Sequence, residues 1–551
     1  MARFIRLCLI LLALVTTIAL PARAQDDEDK SFYAIQSFYA MREYKSIWTD
    51  GDGFTPKGRR LPAILAGAAA HGIDPETYGV SRIASMLDGK GLPETPEGWH
   101  AVELEMTYYL WQFASDLMGQ PIDAETLFSV ADGDIEDNLQ ALAPSQPLYG
   151  ALKTRLAELD TQIANENLAG VTESPALSFG KKLFKPGMSH PDVQKLRTLM
   201  VPFGAMALSE TESPEVANRY DESLAKSVSR FQQEYGLKDD GTIGPETLRI
   251  LNRDPRTLRV QVVANMQRLR EPHRRLREDS RIEVSIARFW LTGYEDGREA
   301  ISMPVIVGKP TRQTISFRTE ITGVRLNPMW YVPPTIKKED FIPMLVKDPA
   351  RLVKMHGVNV VHNGKQVSNP AEVEWAKMSP KELSQVAFWR PAGDGNPLGR
   401  YRVIMDNPYD IYLHDTNHPD LFDDSMRAQS SGCVRVSRPE DLANFLLQHK
   451  TGWSPQKTKD TVKTGRTFDV VMESKMPIYL DYMTAWFNSR NQVILGVDVY
   501  KLDTPRYDGL VKHVLTTQRN AQKISQRVTD ILTPELQEAH HREPVLTHST
   551  N

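Results

Sequence analysis

Apolar residues change their spacing several times along this chain, and each change marks a different kind of element. From about Ser31 to Glu173 they recur at helical intervals, as in "LPAILAGAAAHGIDPETYG" and "HAVELEMTYYLWQFASDLMG", which predicts an α-helical domain. A smaller helical unit follows from about Leu183 to Asn252. There Leu224, Val228 and Phe231 share one face, "DDGTIG" makes a turn, and Pro245 opens the next helix where proline is tolerated. After Asn252 the texture becomes β. "RIEVSIARFWLTGYEDGREAISMPVIVG" predicts two strands either side of the "EDG" turn, and "LGRYRVIM" and "IYLHD" predict further strands. Between them, about Thr335 to Trp389 is helical and charged, which predicts a helical lid inserted in the β domain. "LVKHVLTTQRNAQKISQRVTDIL" predicts a terminal amphipathic helix, and the polar end with His540 and His541 is expected to be disordered rather than metal-binding. The expected class is α+β multidomain: an α-helical scaffold (25–180), a three-helix module (181–252), a mainly-β domain (253–503) and a C-terminal helix and tail (504–551).

The opening "MARFIRLCLILLALVTTIALPARAQ" breaks these patterns. Arg3 and Arg6 precede an apolar run from Leu7 to Leu20 and a small-x-small end at Ala22 and Ala24. This is the pattern of a secretory signal peptide, residues 1–24, cut before Gln25, with an uncleaved membrane anchor as the alternative. The run is shorter than the ~20 residues of a spanning helix. Export is expected to take the mature chain out of the cytoplasm into an oxidising compartment. A formal net charge of −4 argues against nucleic acid as a partner. In the helical domain His71 and His100 read as core or surface histidines, with no ligand cluster around them.

Export changes the meaning of the cysteines. The chain has two, Cys8 and Cys433, and Cys8 leaves with the signal. Cys433, in "SSGCVRV", then has no internal disulfide partner. It is a buried apolar residue, an intermolecular crosslinker or a nucleophile. A short strand follows it, and "SRPEDLANFLLQ" opens a helix with Ser437 as N-cap, Pro439 in the first turn and Glu440 completing a capping box. The thiol therefore lies several residues from a helix N-terminus, and another group must activate it. His356, His362, His414 and His418 are near in sequence, and spacing alone does not choose among them. His414 ends a β run, where backbone would hold its ring, whereas His418 lies in the turn "TNHPD".

Two resemblances extend this reading. The segment around "FQQEYGLKDDGTIGPET" resembles a small peptidoglycan-binding domain, which turns the three-helix module into a wall tether. His414, followed after a turn-rich stretch by "SSGC", Val434 and Arg435, resembles the signature of the L,D-transpeptidases, cysteine acyltransferases of the bacterial cell wall. "NPMWYVPPTI" and "GNPLGRYRVIM" are similar to the large periplasmic members, which join a helical scaffold, a peptidoglycan-binding domain and a catalytic domain with an inserted lid. Two departures stand out. Ser431 replaces the histidine of smaller members, and Thr314-Ile315 stands where a threonine-proline pair is expected.

The resemblance implies Cys433 as nucleophile and His414 as its base. It also implies oxyanion donors in the backbone N–H groups around Gly432 and Cys433, with the Asp415 carbonyl orienting the imidazole. Arg435, two residues along the strand from Cys433, would share its face and bind a substrate carboxylate. Ser431, Trp330 and Tyr412 are the remaining substrate-contact candidates. The implied reaction releases D-alanine from a tetrapeptide stem of peptidoglycan, leaves a thioester, and passes the acyl group to an amine, which crosslinks the wall. No metal or organic cofactor is implied, and carbapenems are the implied inhibitors. The acceptor is left open between a second stem, a lysine of an outer-membrane protein and a free D-amino acid. The rival classes are a cysteine wall endopeptidase or carboxypeptidase, a sortase-like enzyme, and a non-enzymatic wall-binding scaffold with an inert cysteine.

Overall fold

The structure, a computed structural model, describes residues 29–168, 176–180, 182–206, 213–274 and 277–542. The N-terminal segment with Cys8 and the proposed cleavage site lies outside the described residues.

The scaffold is built round the helix Pro96–Met118, which is buried on nearly every face and capped by Thr95. Its most deeply buried acid, Glu103, accepts hydrogen bonds from the backbone N–H groups of Ile47, Trp48 and Thr49 at 2.8–2.9 Å and from the Tyr39 hydroxyl. A charge this deep is tolerated only when so many donors face it. Two elements outside the expected boundaries complete the scaffold core. Val262, Val263 and Met266 of the helix Pro255–Arg270 join it, as do Ala521, Ile524 and Val528 of the C-terminal helix Asp503–Arg542. Helical spacing predicts these two helices but not their packing partner, because an apolar stripe does not name the face it will meet. The C-terminal helix runs to Arg542 and so includes His540 and His541, where disorder was expected. A buried ion pair ties the segments together. Arg268 meets Asp503 at 2.5 Å, and Thr484 donates to the same carboxylate at 2.9 Å.

In the three-helix module Leu224, Val228 and Phe231 do share a core, with Ile243 and Ile250. The helices Val193–Met200, Glu222–Glu234 and Pro245–Leu251 surround it. Ile494 of the strand Val493–Leu495 packs into the same core, and Arg253 donates to the carbonyls of Gly496 and Leu495.

The β domain begins with β1 (Arg281–Ser285), β2 (Trp290–Glu295) and β3 (Arg298–Gly308). The two strands expected here are three, because the chain turns between β1 and β2 with Phe289 at φ 58°. Then come β4 (Phe317–Leu326), β5 (Trp330–Tyr331), β6 (Asn359–His362), β7 (Lys365–Gln366) and β8 (Ala387–Arg390). The remaining strands of the main sheet are β9 (Tyr401–Met405), β10 (Leu413–His414), β11 (Ala428–Ser430), β12 (Val434–Val436) and β13 (Phe468–Asp481), and a separate pair, Ala485–Phe487 and Val493–Leu495, follows. The main sheet runs β11-β3-β12-β10-β9-β4-β13-β1-β2, and β2 also pairs with β3, so the strands close on themselves. Alternation puts Val305, Val324, Val403, Leu413, Val434 and Val436 on the inner face, where they pack with Leu442 and Leu446 of the helix Pro439–Leu447. That helix is not capped as expected. Its N-cap is Arg438, without a side-chain bond, because the Ser437 N–H is drawn back to the Pro304 carbonyl at 3.2 Å.

The lid is helical only in part. Helices such as Ile342–Lys347 and Pro349–His356 stand beside a four-stranded sheet ordered β5-β8-β6-β7. Strands of two to four residues are too short to carry a period of their own, so only pairing across the insertion reveals them. The lid has its own core around Phe341, Leu345, Trp375 and Phe388, and Tyr412 of the main domain packs against it. The lid therefore lies over the outer face of the sheet.

Candidate functional site

The parallel pairing of β10 with β12 sets Leu413 opposite Val434 and His414 opposite Arg435. Since Leu413 and Val434 point inward, Tyr412, His414, Cys433 and Arg435 share the outer face beneath the lid. Of the four histidines near in sequence, His414 is the one that shares this sheet face with Cys433, while Tyr412 is the side chain next to the thiol. His418 is exposed in its turn, 3.9 Å from Asp420, and His356 and His362 pack in the lid against Phe341 and Trp375.

His414 is buried, with Nδ1 2.5 Å from the Asp415 carbonyl oxygen. A proton on Nδ1 satisfies that carbonyl and leaves Nε2 as the basic nitrogen. The Asp415 carboxylate is itself held by the N–H groups of Arg400 at 2.7 Å and Thr416 at 2.6 Å. Gly399 permits this approach: at φ 57° it sits where a Cβ would meet the Asp415 carboxylate at 2.2 Å. Burial, reinforced by the cations Arg435 and Arg402, pushes the His414 imidazolium down to about 3.

Cys433 is half-buried, and its thiol points at the Asp410 carbonyl at 3.6 Å. Burial pushes the thiol up to about 11, against the opposing pull of Tyr412, Arg402 and Arg435. Both directions favour the uncharged forms, a neutral thiol and a neutral imidazole, at neutral pH.

Gly432 precedes the thiol at φ 120°, a conformation that favours glycine. Its N–H is committed to Ser430 Oγ at 3.1 Å, and Ser430 Oγ donates to the Cys433 carbonyl at 2.5 Å. Of the two expected oxyanion donors, the Cys433 N–H is the one this loop leaves in play. Thr314 holds the loop from behind. Its Oγ1 donates to the Gly432 carbonyl at 2.7 Å and accepts from the Gly308 N–H at 2.9 Å. Ser431 is exposed and accepts from Arg312 Nη1 at 3.3 Å. Arg312 also forms a two-pronged bond to Asp340 of the lid at 2.6 and 2.8 Å, which joins the Cys433 loop to the lid.

Trp330, a substrate-contact candidate from sequence, is turned away from the sheet face that carries Cys433. It is buried in the lid core with its ring 5.8 Å from Phe341, because β5 pairs with β8 and turns it inward. Sequence reasoning missed two residues of the site. Thr314 looked like a departure from a motif, and Arg402, within "GRYRVIM", was not singled out. The period-2 alternation of β9 could have put Arg402 on the outer face, but only the register places it opposite His414. Among the described residues, no group of His, Cys, Asp and Glu is arranged to hold a metal ion. A cavity of about 470 Å³ lies elsewhere, in the scaffold between Trp111, Arg270 and His513, and Cys433 does not line it.

Fold and site together define a closed β-sheet domain that carries a cysteine–histidine pair under an inserted lid. Residues 279–471 match the L,D-transpeptidase catalytic domain, residues 33–132 match a Scaffold domain, and residues 189–251 match a "Putative peptidoglycan binding domain". The chain thus carries the catalytic domain of the L,D-transpeptidase family behind a scaffold and a peptidoglycan-binding domain. A Haemophilus influenzae protein named "Putative L,D-transpeptidase" is 33% identical over 222 residues, which is 40% of this chain and 44% of that protein's length. Among solved structures, an L,D-transpeptidase from Stackebrandtia nassauensis is 12% identical, covering 56% of this chain and 97% of that one at a TM-score of 0.21. A mutant of the Enterococcus faecium L,D-transpeptidase is 14% identical, covering 38% and 52% at a TM-score of 0.18. Overlaps this weak carry no argument about the chemistry.

Proposed function

We propose that the chain is a periplasmic L,D-transpeptidase that crosslinks peptidoglycan through a thioester at Cys433. The observation that carries this reading is the placement of His414 and Cys433 on one sheet face, with Nδ1 engaged by the Asp415 carbonyl and Nε2 free to take the thiol proton. In the first half-reaction Sγ attacks the carbonyl of the third stem residue and its proton passes to His414 Nε2. The Cys433 N–H faces the developing oxyanion, where one such donor contributes several kcal/mol. The C–N bond to D-alanine breaks, and the departing amine takes the proton back from His414. In the second half-reaction an acceptor amine attacks the thioester, gives its proton to His414, and the thiolate is reprotonated as the new amide forms. The acceptor is a second stem, a protein lysine such as one on an outer-membrane protein, or a D-amino acid. The module matching residues 189–251 tethers the enzyme to the wall, and the segment before Gln25 directs export.

Mass spectrometry of the full chain with a defined tetrapeptide tests this. The expected result is loss of D-alanine and an adduct on Cys433, absent in Cys433→Ala, slowed by at least about a hundredfold in His414→Ala, and little changed in His418→Ala. D-alanine release by Cys433→Ala, or a greater loss with His418→Ala than with His414→Ala, refutes the assignment. Carbapenem acylation should follow the same pattern.

A further inference from the structure

The register that sets His414 on the same sheet face as Cys433 also aligns a row of charges across the sheet. Arg435, His414, Arg402, Arg325 and Asp469 are successive partners across β12, β10, β9, β4 and β13. Like charges directly opposed in a sheet are destabilising, yet this row sets three arginines against one carboxylate. That carboxylate is already taken: Arg325 grips Asp469 with two bonds at 2.6 and 2.7 Å. Neither Arg402 nor Arg435 makes an ion pair among the described residues; Arg402 feels Asp469 only at a distance, and the Nε of each is buried and unpaired. Arg402 is also held in place, with its guanidinium 4.1 Å over the ring of Tyr412, the residue packed beside Cys433. Two half-buried, unpaired guanidiniums beside a nucleophile are costly unless an anion visits them.

We infer that Arg402 is a specificity-determining residue of the acyl-donor site: stacked on Tyr412 and fixed opposite His414 by the strand register, it binds a second carboxylate of the donor, one carried by the side chain of the third stem residue. The inference rests on the acyl-transfer reading above. Arg435, two residues from the thiol, takes the carboxylate nearer the departing residue. Arg402 stands two strands away, roughly 10 Å across at the backbone, which leaves room for a separate anion. A donor lying across β12, β10 and β9 reaches both. A carboxamide in place of the second carboxylate loses the charge and turns N–H donors toward a guanidinium that can only donate.

The test uses two tetrapeptides that differ only in whether the third side chain ends in a carboxylate or a carboxamide. Affinity is measured by calorimetry on the full chain carrying Cys433→Ala, and kcat/KM for D-alanine release on the intact enzyme. The carboxylate donor should bind on the order of tenfold to a hundredfold more tightly. Adding Arg402→Gln should bring its affinity down to that of the carboxamide donor, while Arg402→Lys should keep part of the preference. Equal binding of the two donors, or a preference that survives Arg402→Gln, overturns the inference. The two readings separate cleanly. A preference abolished by Arg402→Gln without D-alanine release by the intact enzyme upholds the anion site and overturns the transferase. D-alanine release with no such preference does the reverse.

Discussion

Thr314→Val is the most direct test of how the nucleophile loop is held. Valine keeps the volume of the buried threonine but removes Oγ1, which donates to the Gly432 carbonyl at 2.7 Å and accepts from the Gly308 N–H at 2.9 Å. The backbone bond from Thr314 N–H to the Tyr500 hydroxyl, and that hydroxyl's bond to the Gly308 carbonyl, remain. The variant therefore leaves one buried acceptor and one buried donor unsatisfied, each worth about 1–3 kcal/mol, or roughly 2–6 kcal/mol together. Part of this falls on folding, and part on the acylation transition state, because Gly432 adjoins the thiol and its N–H. If about 1.4–2.8 kcal/mol falls there, Cys433 acylation slows about tenfold to a hundredfold. The assay pairs thermal unfolding with the rate of tetrapeptide acylation followed by intact-mass spectrometry. Thr314→Ser, which keeps the hydroxyl, is the control and should acylate within about threefold of the parent. An unaltered acylation rate in Thr314→Val, or a serine variant as slow as the valine one, would refute the idea that this hydroxyl positions the loop.

Two further predictions concern protons and the joint between domains. With the thiol at about 11 and the imidazole at about 3, alkylation of resting Cys433 by iodoacetamide should rise about tenfold per pH unit from 6 to 9, whereas acylation by the peptide, which needs only a neutral His414, should stay flat over that range. An alkylation plateau already reached at pH 6 would reveal a preformed thiolate–imidazolium pair and reverse the argument. The buried Arg268–Asp503 pair predicts that Asp503→Ala, which strands Arg268 without its counter-charge, destabilises the scaffold joint by about 3–5 kcal/mol. Calorimetric unfolding at an unchanged temperature would count against it.

Local pattern alone determined much of this protein. Helical spacing marked the scaffold and the small module, alternation marked the strands around "RYRVIM" and "IYLHD", and a lone cysteine before a β-branched run drew attention to Cys433. These features are legible because they depend on residues one to four positions apart, which is the range over which side chains share a face. What tertiary structure decided depends on pairing between distant segments. Trp330 looked like a ligand contact until β5 met β8 and turned it into the lid core. Ser437 looked like a helix cap until its N–H was drawn back to the Pro304 carbonyl. Thr314 looked like a broken motif until its hydroxyl met Gly432. The row that sets Arg402 beside His414 came from register, because sliding a strand by one residue would turn the whole row to the other face of the sheet.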